Sequence, residues 1–251
     1  MVSLASALDK LCDAALALAY PQACAACGAR GVERRRDWPA CPACWSATRL
    51  FRGGETLCRK CGAPAGGEVP EEKRPGVRCR RCDAEEFTAA RACGISEGAL
   101  RAAVLELKRE PYVPARLAAL LREAAARPPL DSARLVVPVP LHPSRERERG
   151  FNQAALLARA VAKGAAGLRL DEWSLARVLH SGRHRAGMDA RARRESVADS
   201  FAVARPRLVA GERVLLVDDV FTTGATASAC ARVLLAAGAS EVYVLTAARA
   251  A

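Results

Sequence analysis

Apolar residues in the C-terminal part of the chain follow two alternating spacings. Helical spacing predicts four helices, over 100–109, 114–126, 151–163 and 225–237. Short β-rich runs predict four strands, over 134–139, 173–179, 213–217 and 241–246. Gly164 and Gly238 follow two of the helices, where glycine commonly ends a helix. Strands that alternate with helices are typical of a parallel sheet. We therefore predict an α/β domain over 91–251, with a largely parallel sheet and flanking helices.

The N-terminal segment has apolar residues on one side of a predicted helix. These residues are Leu4, Leu8, Leu11, Ala15 and Leu18. The spacing predicts an amphipathic helix over 1–20 that docks on the rest of the chain. The segment has no basic cluster ahead of its apolar residues, so a signal peptide is not predicted. No apolar run approaches the roughly 20 residues of a membrane span, and we expect a cytoplasmic protein with no transmembrane segment.

Between these parts, residues 21–90 contain most of the cysteines. The segment is rich in Gly, Pro and Arg and has little apolar periodicity, so it needs a crosslink to fold. A reducing cytosol disfavours disulfides, and clustered cysteines there indicate metal binding or catalysis. Eight of the eleven cysteines form four pairs with two-residue gaps: Cys24 and Cys27, Cys41 and Cys44, Cys58 and Cys61, Cys79 and Cys82.

The cysteine spacing predicts structural zinc. A two-residue gap lets two thiolates bind one tetrahedral ion, and two such pairs complete a four-cysteine site with no open position. Gly28 and Gly62 follow two of the pairs, where the turn favours positive φ. We therefore predict a double zinc-ribbon module over 21–90 with two zinc ions. Sequential pairing and crossed pairing, first with third and second with fourth, both fit the spacing. The isolated Cys12, Cys93 and Cys230 are predicted to be small buried residues.

Charge narrows the class of ligand. The net charge is +12, from 39 basic and 27 acidic residues, which favours nucleic acid, phosphorylated small molecules or an anionic membrane surface. Aromatic residues make up only 4% of the chain. This scarcity argues against a broad platform on which bases stack.

The most specific motif follows the predicted strand over 213–217. Asp218 and Asp219 come directly after it, and a small, hydroxyl-rich turn then opens into the helix over 225–237. The N–H groups of a helix N-terminus bind anions, and ligands bind at the carboxyl ends of strands in open α/β sheets. We predict that the two carboxylates contact ribose hydroxyls or help to place Mg²⁺. The predicted phosphate-binding residues are Thr222, Thr223, Gly224, Ala225 and Thr226.

A second polar cluster follows the predicted strand over 134–139. A proline-stiffened turn leads through several arginines into the helix over 151–163. Arginine forms charge-assisted bonds to phosphate, and the first residues of a helix cap it or contact ligands. The predicted pyrophosphate or anion site consists of Arg145, Arg149, Asn152 and Gln153. Alternatively, this cluster and an exposed loop predicted over 181–194, with five arginines, form a surface that faces nucleic acid.

Residues 214–226 resemble the thirteen-residue signature of type I phosphoribosyltransferases. The resemblance implies that Asp218 and Asp219 contact the ribose of phosphoribosyl pyrophosphate, and that Thr222 to Thr226 hold its 5′-phosphate. Some purine-salvage members have an aspartate at the position of Thr222, where it handles a proton on the base. Threonine does not do so near neutral pH, so the motif provides no acid or base for a nucleobase.

Three features together resemble the ComF family, which is associated with bacterial DNA uptake in natural competence. They are the double zinc ribbon, the PVPLH…RGFNQ segment and the DDVFTTGAT segment. The similarity extends from Cys24 to the predicted strand over 241–246, and the segment from Gly98 to Lys108 also fits. Family members often have Gln at the position of Arg185 and Asn at the position of Ser196. Because of these differences, catalytic contacts from the arginine-rich loop are not carried over to this chain.

The resemblance implies a protein that binds phosphoribosyl pyrophosphate or a related ribose phosphate with Mg²⁺. It implies a role in handling incoming single-stranded DNA during competence, with a protein of the competence machinery as a partner. The alternative is an active phosphoribosyltransferase of nucleotide metabolism with an unidentified acceptor. The sequence leaves open whether substrate is turned over, and whether DNA binds the ribbons or the arginine loops.

Overall fold

The structure is a computed structural model. It describes residues 22–29, 37–66, 69–163, 165, 167–178 and 200–251. The predictions that lie outside these residues are the helix over 1–20 with Cys12, the helix end at Gly164, the loop over 181–194 with Arg185, and Ser196. The helices are α1 Pro42–Ala47, α2 Gly98–Leu107, α3 Ala115–Ala125, α4 Pro143–Arg149, α5 Gln153–Ala162, α6 Pro206–Val209 and α7 Ala225–Ala236. The strands are β1 Ala89–Ala92, β2 Leu135–Pro138, β3 Arg169–Leu170, β4 Leu175–Arg177, β5 Phe201–Val203, β6 Arg213–Phe221 and β7 Glu241–Arg249. Short 3-10 helices occupy Glu71–Gly76, Arg80–Cys82 and Leu130–Ser132.

Five of the strands form a parallel sheet in the order β1-β7-β6-β2-β3. β4 and β5 form a separate antiparallel pair. The predicted fold class is confirmed: a parallel sheet with flanking helices follows a Cys-rich double zinc-ribbon module. The carboxyl ends of the five strands therefore meet along one edge of the sheet, which is where ligands bind in such folds.

The central strand β6 is buried on both faces, as its continuous apolar run requires. Val214 and Leu216 pack on one face, in an apolar cluster with α7 and with three cysteines of the second zinc group. Leu215 and Val217 pack on the other face, in a cluster with α2, α3 and α5. Each face of the sheet thus has its own cover, and the second zinc group belongs to one of them.

The edge strand β1 is covered by residues of the Cys-rich module. The N–H of Ala90 donates to the carbonyl of Lys60 at 2.6 Å, and the N–H of Phe51 donates to the carbonyl of Cys93 at 2.8 Å. A Cβ on Gly62 would lie 2.6 Å from the carbonyl oxygen of Ala90, so this close approach requires glycine. The module therefore occupies hydrogen-bonding groups that an uncovered edge strand would present to other chains.

Four predicted helices are confirmed within a few residues, whereas several strand predictions are corrected. The strand predicted to end at 217 continues to Phe221, because Val220 and Phe221 still pair with β7. The strand predicted over 173–179 is only Leu175–Arg177 and pairs outside the main sheet. The arginine cluster is helical, as α4, because Pro143 starts it and Gly150 ends it at φ 84°. Cys93 and Cys230 are buried, as predicted.

Candidate functional site

The eight paired cysteines form two groups of four, with sequential rather than crossed pairing. The first contains Cys24, Cys27, Cys41 and Cys44, and the second contains Cys58, Cys61, Cys79 and Cys82. Within each group all four sulfurs lie within 4.8 Å of one another. The closest Sγ–Sγ distances run from 3.5 Å in the second group to 4.0 Å in the first. A tetrahedral ion with Zn–S bonds of about 2.3 Å requires sulfurs about 3.8 Å apart, so both groups fit zinc.

The surroundings of the sulfurs also fit a cation. The N–H of Cys41 donates to the Cys24 sulfur at 3.2 Å, and the N–H of Cys79 donates to the Cys58 sulfur at 3.3 Å. Burial opposes ionisation of these two thiols, but backbone N–H donors hold the pKa of each at about 6. Burial and the neighbouring thiols raise the pKa of Cys61 to about 11. A divalent ion removes this conflict by stabilising all four thiolates, and the closed ligand set makes its role structural.

The two acidic residues of the predicted ribose site lie inside β6, near its carboxyl end. The N–H of Asp219 donates to Asp218 Oδ1, and the N–H of Val220 donates to Asp219 Oδ1, both at 2.8 Å. Lys108, just after α2, places its Nζ 3.1 Å from Asp219 Oδ2. Both carboxyls are thus oriented by the backbone, and one of them is paired with a lysine that the sequence interpretation did not assign to the site.

The Asp218 carboxyl is held in an unfavourable place for a negative charge. Loss of water raises its pKa well above the usual range, and the Asp219 carboxylate raises it further. The Asp219 N–H and the charge of Lys108 act in the opposite direction without cancelling the rise. A ribose hydroxyl or a divalent cation next to this pair would relieve the repulsion.

We expect Asp218→Asn to stabilise the ligand-free protein at pH 8. A carboxyl whose folded pKa lies above its unfolded value destabilises the fold once the pH exceeds the unfolded pKa, and the penalty is complete above the folded pKa. The amide removes that penalty, and we expect a melting temperature about 3 °C higher, equivalent to about 1 kcal/mol. The gain should vanish near pH 3, where the carboxyl is protonated in both states. Thermal melts at the two pH values check this, with the exposed Asp131→Asn as a control; equal shifts in both variants would contradict it.

The turn after β6 contains the residues that are predicted to bind phosphate. Thr222 is exposed, Thr223 and Thr226 are half-buried, and Gly224 is the residue before α7 at φ 86°. The Thr223 hydroxyl accepts a long hydrogen bond, 3.4 Å, from the N–H of Ala225. Within the described residues, the N–H groups of Thr226 and Ala227 have no hydrogen-bond acceptor. These groups, the hydroxyls and the helix dipole suit an anion.

The residues predicted to bind pyrophosphate follow β2, which pairs with β6. The N–H of Val139 donates to the carbonyl of Val217 at 2.9 Å, so the chain that leads into α4 starts next to Asp218. Asn152 caps α5: its Nδ2 donates to Val139 O at 3.1 Å and its Oδ1 accepts from Ala154 N at 3.0 Å. The amide of Asn152 therefore holds the end of β2 against α5.

The other three members of this predicted set differ in exposure. Gln153 is buried and accepts a hydrogen bond from Arg149 Nη1 at 2.5 Å. Arg145 is exposed on α4 and pairs with Glu148 at 3.4 Å. Arg149 is thus oriented by Gln153, whereas Arg145 is a surface cation that can turn toward an anion.

The sequence interpretation did not predict that the second zinc group supports the turn over 222–224, which we call the phosphate turn. Arg249 donates to the carbonyl of Cys61 at 2.7 Å, and its guanidinium lies 5.0 Å from the centre of the Phe221 ring. Phe87 packs edge-on against Phe221 at 5.8 Å. Glu85 lies three residues after Cys82, and its carboxylate would be 3.5 Å from a Cβ at position 224. No local pattern indicates these contacts, because they join distant parts of the sequence.

Comparisons with known proteins agree with this architecture. Residues 15–94 match the double zinc ribbon domain family. The DNA utilization protein YhgH of Salmonella typhi is 31% identical over 218 residues, which cover 82% of this chain and 88% of the relative. Competence protein F of Haemophilus influenzae is 35% identical over 134 residues, which cover 52% of this chain and 56% of the relative. The chain belongs to the ComF family.

Solved structures are more distant from this ComF-family chain. The glutamine phosphoribosylpyrophosphate amidotransferase of B. subtilis, complexed with ADP and GMP, has 22% sequence identity and a TM-score of 0.37. The match covers 56% of the ComF chain and 30% of the amidotransferase. In the part of the ComF chain that the structure describes, every helix is too short or too polar to cross a bilayer.

Proposed function

We propose that this ComF-family protein binds phosphoribosyl pyrophosphate, or a related ribose phosphate, with Mg²⁺ at the carboxyl ends of β6 and β2. One observation supports the proposal most. Two adjacent carboxyls lie near the carboxyl end of the central strand, separated by five residues from a helix that follows Gly224 and whose first N–H groups are available to an anion. A ribose 5-phosphate carries hydroxyls and a phosphate on one small sugar, and these match the two kinds of group.

Each group at the site has a distinct role in this proposal. Asp218 and Asp219 accept hydrogen bonds from the ribose hydroxyls, and residues 222–226 bind the 5′-phosphate. Arg145 and Arg149 contact the pyrophosphate, and Asn152 and Gln153 position the segment between β2 and α5. Carboxylate oxygens are ligands that Mg²⁺ accepts, and the ion when bound neutralises charge on the pyrophosphate. Ribose hydroxyls that approach Asp219 must share it with Lys108.

Calorimetry with phosphoribosyl pyrophosphate and Mg²⁺ tests this proposal. The Asp218→Asn/Asp219→Asn variant keeps oxygen acceptors of the same shape but loses both charges, so we expect at least about tenfold weaker binding, or about 1.4 kcal/mol. Asp131→Asn, an exposed acid away from the site, serves as the control and should bind like the wild type. A wild-type protein that binds no better than the double variant would end the proposal.

We further propose that the protein handles incoming single-stranded DNA in the cytoplasm during competence, with a protein of the competence machinery as its partner. The net charge of +12 and the names of the relatives, DNA utilization protein and competence protein, support this role. Phosphate contacts release counterions, so the affinity for an oligonucleotide should fall steeply with salt, by about 0.7 log units per log unit of salt for each contact. A fluorescence titration at several salt concentrations measures the slope; no binding at low salt would remove this role.

An active phosphoribosyltransferase with an unidentified acceptor is the second candidate. The presence of all three kinds of group, for ribose, 5′-phosphate and pyrophosphate, supports it. Donors and cations aimed at the leaving pyrophosphate would stabilise the charge that develops there. Release of pyrophosphate from phosphoribosyl pyrophosphate, screened against nucleobase and amine acceptors, distinguishes turnover from binding alone.

A further inference from the structure

A second concave region of the molecule lies at β1, away from the phosphate turn. It is a cavity of about 630 Å³ between the segment 51–59, β1 and the end of α3. Its apolar lining includes Phe51, Leu57 and Ala92. None of its lining residues belongs to the proposed sugar-phosphate site, and β7 lies between β1 and β6 in the sheet. At about 4.8 Å per strand, β1 is about 10 Å from β6.

The polar lining of the cavity is strongly basic. Four arginines line it, namely Arg59, Arg74, Arg91 and Arg127, together with a single carboxylate, Glu55. Both oxygens of Glu55 are engaged by the backbone, accepting from Arg52 N at 2.8 Å and from Gly53 N at 2.9 Å. Among the residues that the structure describes, none of the four arginines forms an ion pair within 4.0 Å, whereas eight other basic residues do. The cavity lining thus has a net positive charge, with four guanidinium groups against one carboxylate.

Three of these guanidinium groups donate to carbonyl oxygens, among them Arg74, whose Nε donates to the carbonyl of Val69 at 3.3 Å. Arg91 Nη1 donates to the carbonyls of Ala90 at 2.7 Å and Arg59 at 3.1 Å. Arg127 donates to the carbonyls of Glu123 at 3.2 Å and Phe51 at 3.1 Å. Carbonyls orient a guanidinium but do not neutralise it, and each group has five N–H donors, so several remain for a ligand. Such orientation lowers the entropy lost on binding.

We propose that this cavity binds the phosphate of a nucleotide, either free or as a unit of single-stranded DNA. Guanidinium groups bind phosphate in a bidentate manner, and the apolar lining suits the base or sugar next to it. The volume lies within the range of small-molecule sites. When the phosphate belongs to single-stranded DNA, the inference rests on the proposed role in DNA handling, and the cavity is the surface that contacts the strand. It is independent of binding at the two acids.

The test compares two variants of the full chain that lose the same charge. Arg59→Gln/Arg74→Gln removes two cavity cations whose side chains are exposed, and Arg101→Gln/Arg207→Gln removes two exposed cations elsewhere. The probes are a fluorescent oligothymidylate and thymidine monophosphate. We expect the cavity variant to bind at least one probe about tenfold more weakly than wild type. For the oligonucleotide, the slope of log affinity against log salt should be smaller by about 1.4. The affinity of the control variant should stay within about twofold to threefold of wild type.

The outcomes separate the sources and the sites. Weaker binding of the oligonucleotide alone identifies DNA as the source, and weaker binding of the mononucleotide alone identifies a free nucleotide. Equal losses in the two variants, or no wild-type binding of either probe, would overturn the proposal. Zinc content and melting temperature confirm that both variants fold. Calorimetry with phosphoribosyl pyrophosphate on the same samples should give unchanged affinity, so failure at one site is distinguished from failure at the other.

Discussion

Cys61→Ser is expected to lose one of two zinc ions and at least about nine tenths of its affinity for phosphoribosyl pyrophosphate. The reason is the contact between the second zinc group and the phosphate turn. The carbonyl of Cys61 accepts from Arg249, whose guanidinium lies over the ring of Phe221, and Phe221 directly precedes the turn. Cysteines of this group share one apolar cluster with Phe221 and Ala225. Without the ion the cluster loses its crosslink, and the turn loses its support.

Cys27→Ser provides the matched control. Cys27 is an exposed ligand of the first zinc group, and residues of that group pack with α2 and α3 on the opposite face of the sheet. We expect this variant to lose one zinc ion as well, but to bind the sugar phosphate within about threefold of wild type, or about 0.65 kcal/mol. Metal analysis and calorimetry on both variants give the comparison. Equal losses of affinity would show that zinc stabilises the chain without a specific effect on the turn.

Gly224→Ala is expected to weaken binding of the sugar phosphate by at least about tenfold. At φ 86° an alanine costs about 1–2 kcal/mol of backbone strain. Its Cβ would also lie 2.9 Å from Cζ of Phe221, a contact that forces the turn or the ring to move. The N–H groups that follow would then no longer converge on the phosphate.

Gly211→Ala separates these two effects. Gly211 has φ 77°, but a Cβ there has no atom within 4 Å, so this variant has the strain without the collision. We expect both alanines to lower the melting temperature, Gly224→Ala by more because of the collision, while only Gly224→Ala weakens binding of the sugar phosphate in calorimetry. Unchanged affinity in Gly224→Ala would mean that the turn adapts, and that phosphate binding does not depend on the position of the turn.

The features that the sequence predicted correctly depend on residues that are close together along the chain. The zinc ligands were found because each pair of sulfurs is fixed by a two-residue gap, and the pattern of buried and exposed positions located the main helices. β1 was missed because Ala89–Ala92 has no β-branched or aromatic residue, and it is a strand only through pairing with β7. α4 was missed because its residues are almost all charged, and it begins and ends through its capping residues.

The contacts that shape the candidate site could not be predicted in the same way. Arg249 and Cys61 are 188 positions apart, and Lys108 reaches Asp219 from the end of another helix. Both contacts are created by the fold. No local pattern distinguishes Arg249 or Lys108 from the other basic residues of the chain. The choice between sequential and crossed cysteine pairing likewise depends on how the module folds, because the spacing fits both.

The cover that the Cys-rich module places over β1 has a consequence for making the protein. The carbonyl of Lys60 and the close approach of Gly62 hold this cover in place, and both residues stand between or beside zinc ligands. A chain synthesised in zinc-poor medium would leave the cover unfolded and β1 open to pairing with other copies. Metal supply during expression would then decide how much chain stays in solution and how much precipitates.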